Sequence, residues 1–333
     1  MIALKPELVE NLDTTQGIQD ALQTAIELEH ATIPPYLYAY WSLTDPNGTI
    51  QGLIRSVVIE EMGHLALACN VLNAIGGSPS IDNTAFVPQY PGPLPGGVED
   101  QLVVPLAPFS IVLVENVFMV IEEPENPLVF PEAVDADKVI TIGRFYTAIR
   151  DAIAAAGESI FTGPAANQVT NIPSDVVIAV NSVATATTAI NTIIDQGEGT
   201  TQAPDDIEGE LAHYYRFEEI VKGKELVKDP TTGKFSFSGP AIEFDPAGVA
   251  PAITNPKAAG YPSGSAAAQA NDTFNSDYAA LLQTLHQGFN GQPKLVGQSV
   301  GQMFGLTSDA QTLMTTSIGD GATAGPSFEP FTQ

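Results

Sequence analysis

Apolar residues recur along much of this chain at three- and four-residue spacing, the pattern of helices that bury one face. The most apolar stretch, from about Leu53 to Ile75, has Ile50, Ile54, Val57, Ala68, Leu72 and Ile75 in one stripe. Two polar residues, Glu61 and His64, interrupt that stripe. Residues three apart on a helix point the same way, so they offer one carboxylate and one imidazole to a single point. Glu60 points about 100° away, which predicts a solvent-side neighbour. An earlier helix is predicted over Gly17 to Ile33, opened by a capping-box-like Asp13-Thr14-Thr15-Gln16, with Ile18, Leu22, Ala25, Ile26, Glu29 and Ile33 inward. Glu27 falls on the opposite, polar side. Glu29 lies on the apolar stripe, where an unpaired carboxylate is costly, so it needs a metal, a proton or a cation beside it.

Pro34 and Pro35 predict an interruption, a kink or a helix end, before an aromatic run at Tyr36, Tyr38, Tyr40 and Trp41. Gly76-Gly77-Ser78-Pro79 ends the second helix, and a Pro- and Gly-rich connection runs to Pro108. A short helix carrying Glu115 covers Phe109 to Ile121, stopped by EEPENP. Longer helices are expected over Asp137 to Ala156, with Ile142, Phe145, Ile149 and Ile153 inward, and over Ser174 to Asp195, broken by Gln196-Gly197-Glu198-Gly199. A helix-like run, DDIEGELAHYYRFEEIVKGKEL, follows, with Ile207, Leu211, Tyr214, Phe217 and Val221 on one side. From Asp229 to about Asp272 the chain has little periodicity and reads as an ordered wrap, because Ile242, Phe244 and Val249 would otherwise be exposed. Two last helices are predicted, Phe274 to Gly288 and Leu295 to Met314. The class is all-α, with a bundle core over 1–228 and a wrap plus two helices over 229–333, packed as one module.

The chemistry sits on the repeated pattern. Glu61-Met62-Gly63-His64 recurs as Glu210-Leu211-Ala212-His213, and two Glu-x-x-His helices, each paired with a helix that supplies a further Glu, form the ligand set of di-iron and di-manganese carboxylate bundles. His30, rotated from the stripe, and His286, among Leu282, Leu285 and Phe289, read as structural histidines. Tyr36, Tyr146 and Tyr214 are pocket candidates, with packing the competing explanation.

Composition narrows the partners. Twelve basic against 39 acidic residues give a net charge of −27 over 333 residues, which argues against nucleic acid or an anionic membrane. The N-terminal residues lack a signal-peptide pattern and no run of about 18 apolar residues suggests a membrane span, so a cytoplasmic location is expected. The single cysteine, Cys69, lies in the organising helix and reads as a small core residue. No Gly-rich phosphate loop, Ser-His-Asp order or zinc-type Cys pair is present. A small-molecule substrate is the expected partner, and a homo-oligomer is left open.

ELEHATIPPYLYAYWSL, EEMGHLALACNVLNAIGGSP, TIGRFYTAI, QGEG, ELAHYYRFEEIVKGKEL, FNSDYAALLQTLHQGFNG and AGPSFEP resemble the ferritin-like proteins related to the iminophenyl-pyruvate dimer synthases of violacein and indolocarbazole biosynthesis. The resemblance runs from Ala21 to the C-terminus. It implies a ferritin-like helical bundle with a long crossover and metal ligands at Glu29, Glu61, His64, Glu210 and His213. It also implies a sixth ligand, a glutamate, in the TIG-x-FY segment, where this chain has Arg144. Arginine does not bind metal and pairs bidentately with carboxylates. Three arrangements follow: one metal held by both histidines and one or two glutamates, a metal-free site with Arg144 as counter-ion, or a dinuclear site with Arg144 turned outward. The function expected from the resemblance is a non-haem oxidoreductase using iron, mono- or dinuclear, or manganese, on a small aromatic imine or keto acid. Arg144, Tyr36 and Tyr146 are its candidate catalytic residues. A non-catalytic metal-storage protein and a degenerate, metal-free bundle are the alternatives.

Overall fold

The computed structural model describes residues 6–97, 102–124, 142–172, 176–199, 204–206 and 209–330. Of the predicted features, 137–141 of the third long helix, Ser174, Ile207 and the last three residues of EEPENP lie outside them.

Helix α1, Thr15–Ser42, starts where the Thr14 side chain accepts a hydrogen bond from the Gly17 N–H, one residue later than the capping box predicted. Its stripe of Ile18, Leu22, Ala25 and Ile26 is fully buried. The helix does not end or resume at Pro34 and Pro35; it runs through both. One carbonyl that Pro35 leaves unbonded, that of Ala31, accepts from the Tyr90 hydroxyl at 2.7 Å, so a crossover side chain supplies the missing donor. Helix α2, Gly48–Ala74, follows a short turn and packs along α1.

The third helix, α3, comes in pieces: α-helical Ile111–Leu113, a π-helical turn at Val114–Phe118, and α-helical Met119–Ile121. Helix α4, Ile142–Ala156, buries Phe145, Ile149 and Ile153 as its periodicity predicts. Helix α5, Val183–Glu198, begins later than expected because Ser182 and Thr185 close a capping box there. Helices α1, α2, α4 and α5 form the bundle: α1 packs on α2 and α4, α5 on α2 and α4. The connection from α2 to α4, which includes α3, is the long crossover.

Helix α6, His213–Lys222, is shorter than the run predicted for it and packs across α2, α3 and α5. Gly223, left-handed at φ 65°, ends it. KGKEL then forms a strand rather than more helix: β1, Lys224–Lys228, pairs antiparallel with β2, Phe235–Ala241. The wrap is ordered, with Ile242 buried and Phe244 and Val249 half-buried against the core. Helix α7, Ala266–Phe289, starts eight residues earlier than predicted, where the Ser265 hydroxyl accepts from Ala268 N–H. Helix α8, Lys294–Thr315, packs along α7, and a small hairpin of β3, Ser317–Gly319, and β4, Ala322–Thr323, follows. One apolar core extends from Ile18 in α1 to Phe328 near the end of the chain. Among the described residues no helix is long and apolar enough to cross a membrane.

Candidate metal centre

Helix periodicity carries three polar side chains into the bundle core: Glu29 from α1 at 6% exposure, and Glu61 and His64 from α2 at 3% and 2%. They form one group able to surround an ion, and Glu61 belongs to a second with Glu122 and His213. Four of the five side chains predicted as ligands therefore converge, and Glu61 is common to both groups.

The fifth, Glu210, does not join them. It is exposed, in a loop. Gly209 there adopts φ 86°, the Glu210 N–H donates to Asp206 Oδ1 at 2.9 Å, and the Glu210 carbonyl accepts from Asp206 N at 2.7 Å. His213 is the first residue of α6. The rule that residues three apart face the same way holds only inside a helix, and here the second Glu-x-x-His is split by the helix start.

Glu122 takes the place left open. It closes α3, with its N–H bonded to the Phe118 carbonyl, and is 9% exposed. The signal was in the sequence: Glu122 lies four positions after Phe118 and eight after Val114, on the buried stripe of its own helix, but the Glu-Pro punctuation read as a stop. Glu115, which the short helix was expected to present, is exposed. Arg144 is exposed as well, next in sequence to the buried Phe145 and Tyr146. That exposure fits the arrangement with Arg144 turned outward better than the one with Arg144 as internal counter-ion.

Both imidazoles are fixed from behind. His64 Nε2 lies 2.9 Å from Gln196 Oε1, an acceptor that holds the proton of the outer nitrogen, and Nδ1 faces Glu29 Oε2, 3.5 Å away. His213 Nε2 lies 3.1 Å from Glu60 Oε2, and Glu60 Oε1 in turn accepts from Arg216 at 2.6 Å. Glu60 is thus not the solvent-side residue that its helix angle predicts. Its side chain is 20% exposed, because α6 covers that face of α2 and brings Arg216 with it. Arg216 also donates to the Leu211 carbonyl and the Ser56 hydroxyl, and it gave no sign of this role in the sequence.

Tyr36 and Tyr146, the other two predicted catalytic residues, are fully buried beside the acids. Tyr36 donates to Glu122 Oε1 at 2.5 Å and Tyr146 to Glu29 Oε1. Thr32 donates to Glu61 Oε2 at 3.0 Å. Of the structural histidines, His30 is buried against Phe86 and bonded to Tyr278, and His286 pairs with Asp82. Tyr214 is half-buried and packs edge-on against Tyr215.

The electrostatics follow from crowding acids out of water. Burial and the Glu122 charge push the Glu61 carboxyl up to about 7. Burial pulls Glu29 the same way, but hydrogen bonds from His64 and Tyr146 outweigh it and hold Glu29 below the usual carboxylate range. Burial works against a charged His213, yet Glu122, Glu60 and Glu61 raise it well above an ordinary histidine. Glu60 is held down at about 2, burial being overcome by His213 and Arg216. Burial, then the adjoining carboxylates, keep both phenols protonated, Glu122 for Tyr36 and Glu29 for Tyr146.

One detail tests whether this donor set fits a cation. His213 Nδ1 lies 2.9 Å from Glu61 Oε1 and 3.4 Å from Glu122 Oε2, yet it is buried without a hydrogen-bond partner. Without an ion, a proton on that nitrogen is the positive charge that faces the two carboxylates, which is what raises His213. An ion between the nitrogen and the two carboxylates satisfies all three, and imidazole with carboxylate suits iron and manganese. The residues fit the metal that the bundle implies.

Three comparisons agree with this architecture. A family model described as Ferritin-like matches residues 22–222. A dichlorochromopyrrolate synthase from Lentzea aerocolonigenes is 25% identical over 96% of this chain, which spans only 36% of that protein. The crystal structure of a ferritin-like protein from Caulobacter vibrioides superposes with a TM-score of 0.63 at 24% identity, covering 93% of this chain and 97% of that one. With more than half of its length matched by the family model, this chain belongs to the ferritin-like family.

Proposed function

We propose that the protein is a non-haem metal oxidoreductase with a dinuclear site, Glu29, Glu61 and His64 holding one ion and Glu61, Glu122 and His213 the other. The observation that carries this is the pair of donor groups joined at Glu61, with the His213 nitrogen turned into the group and left unbonded. Two redox-active divalent ions held there, iron or manganese, would supply electrons to dioxygen or peroxide.

The chain's own residues set up that chemistry. Gln196 and Glu60 keep the outer nitrogens of His64 and His213 protonated, so that the inner ones are free to ligate. Tyr146 and Tyr36 orient the carboxylates of Glu29 and Glu122 and shield their outward oxygens. Burial of all five donors keeps bulk water from the ions. Resemblance to the iminophenyl-pyruvate dimer synthases, and the similarity to dichlorochromopyrrolate synthase, support a small aromatic imine or keto acid as the organic substrate.

Metal analysis of protein purified without chelator, followed by oxygen or peroxide consumption by the reduced iron form, tests the reading. Stoichiometric metal with oxidant consumption is expected. Metal without consumption would leave a storage protein, and a Glu61→Ala, His213→Ala double variant with unchanged metal content would refute the site.

A further inference from the structure

A cleft of about 630 Å³ opens where the crossover after α2, the wrap, α7 and the C-terminal segment meet. That size lies within the roughly 300–1,000 Å³ of small-molecule sites. No residue lining it belongs to either donor group of the metal centre. Its buried members are Tyr90, Asn275, Ser327 and Phe328. The charged ones, Lys257, Asp272 and Glu329, all reach solvent, as do the uncharged Thr84, Gln89 and Ser276; proline, valine and alanine complete the walls.

The buried polar groups are held in fixed roles. Asn271 Oδ1 accepts from the Ser327 N–H and Asn275 Oδ1 from the Glu329 N–H, each at 3.0 Å. Between them Phe328 is kept at φ 51°, a backbone region costly for a residue with a side chain. Those two bonds orient both amides, so both Nδ2 atoms donate to the Ser327 hydroxyl oxygen at 3.0 Å. A hydroxyl has two lone pairs and one proton. With both lone pairs taken, Ser327, only 2% exposed, can only donate, and no acceptor for its proton lies among the described residues. Asn275 keeps a second N–H as well. Buried donors of this kind call for a ligand oxygen.

Charge selects among ligands that carry one. Lys257 Nζ lies 3.6 Å from Glu329 Oε1, beyond hydrogen-bond reach, while Glu329 Oε2 accepts from the Ala258 N–H at 2.7 Å. Asp272 adds a second carboxylate. One cation against two carboxylates, in a chain of net charge −27, disfavours a simple anion. The donors at Ser327 and Asn275 leave a simple amine without a match. A molecule with both an ammonium and a carboxylate satisfies both sets. We propose that this cleft is a second binding site, for a zwitterionic α-amino acid with a bulky apolar side chain. Its carboxylate meets Ser327, Asn275 and Lys257, its ammonium meets Asp272 and Glu329, and its side chain lies along Tyr90 and Phe328. The site goes beyond the metal-oxidoreductase reading and needs no metal.

Titration calorimetry of the metal-free protein with L-phenylalanine tests it, beside phenylpropanoate, which lacks the ammonium, phenethylamine, which lacks the carboxylate, and L-alanine, which lacks the ring. L-phenylalanine is expected to bind with a Kd in the millimolar range or tighter, and each analogue more weakly by about fivefold or more. Lys257→Ala and Asp272→Asn, changes at solvent-reaching side chains, should each weaken L-phenylalanine by about fivefold, the size of a partly exposed ion pair. Ser327→Ala should weaken it by about tenfold, the size of one buried hydrogen bond to a charged group. Absence of L-phenylalanine binding in the millimolar range, or unchanged affinity in both Lys257→Ala and Asp272→Asn, would overturn the site. Phenylpropanoate or phenethylamine binding as tightly as L-phenylalanine would overturn its zwitterion selectivity. The metal content of the protein bears on none of these outcomes, so the metal reading stands or falls separately.

Discussion

The sharpest test of the centre contrasts Glu122, which only the fold brings to it, with Glu210, which the sequence motif nominates. In Glu122→Gln the amide oxygen still accepts from Tyr36, so packing is kept while one charged ligand is lost. The shift of Glu61 from 4.5 to about 7 corresponds to roughly 3 kcal/mol at about 1.4 kcal/mol per unit. Burial accounts for the largest share and Glu122 for the next. Because the folded value lies above the unfolded one, the metal-free protein is most stable below pH 4.5 on this account and loses that amount as pH rises toward 7. Removing the Glu122 charge should return part of it. Glu122 is also the first of the carboxylates that raise His213, so the two effects of its removal oppose each other and metal-free Glu122→Gln is expected to melt near the wild-type temperature at pH 7, while bound metal falls from two ions per chain to one. Glu210→Ala, an exposed loop change, should leave metal content intact and stability within about 0.5 kcal/mol. Calorimetry of the metal-free proteins and elemental analysis after anaerobic loading and desalting read both quantities. Full metal content in Glu122→Gln, or loss of metal in Glu210→Ala, would refute the assignment.

Two further outcomes follow from the supports around the centre. Glu60→Gln weakens the acceptor behind His213 and frees Arg216, so metal affinity measured by competition with a chelator should fall by about 10–100-fold; unchanged affinity would mean that His213 needs no outer partner. His30 is buried with its value lowered to about 3 by burial, below the unfolded 6.5, so its contribution is intact above pH 6.5 and falls by about 1.4 kcal/mol per pH unit from there down to about 3. Chemical denaturation of metal-free His30→Gln between pH 4 and 7 should show a flatter acid limb than wild type, and parallel limbs would show that His30 takes up its proton without unfolding cost.

Local periodicity was enough to place Glu29, Glu61 and His64 on buried faces, because each lies within a long helix whose stripe is readable over several turns. It also identified the bundle helices, the long crossover and the ordered wrap. What it could not decide was where helices start and how they meet. Pro34 and Pro35 read as a break because sequence does not show Tyr90 arriving from the crossover to bond the Ala31 carbonyl. The second Glu-x-x-His read as one helical face, but Gly209 and Asp206 fold Glu210 into a loop and leave His213 alone at the helix start. Glu60 turned from solvent-facing to a half-buried support because α6 lies over it, and Glu122 joins the donor cluster from a helix other than the one that carries Arg144. Apolar spacing is a property of single elements, so the sequence specified which side chains enter the core. Their partners come from helix ends and loops far apart in the chain, and only packing in three dimensions determines which of those ends meet.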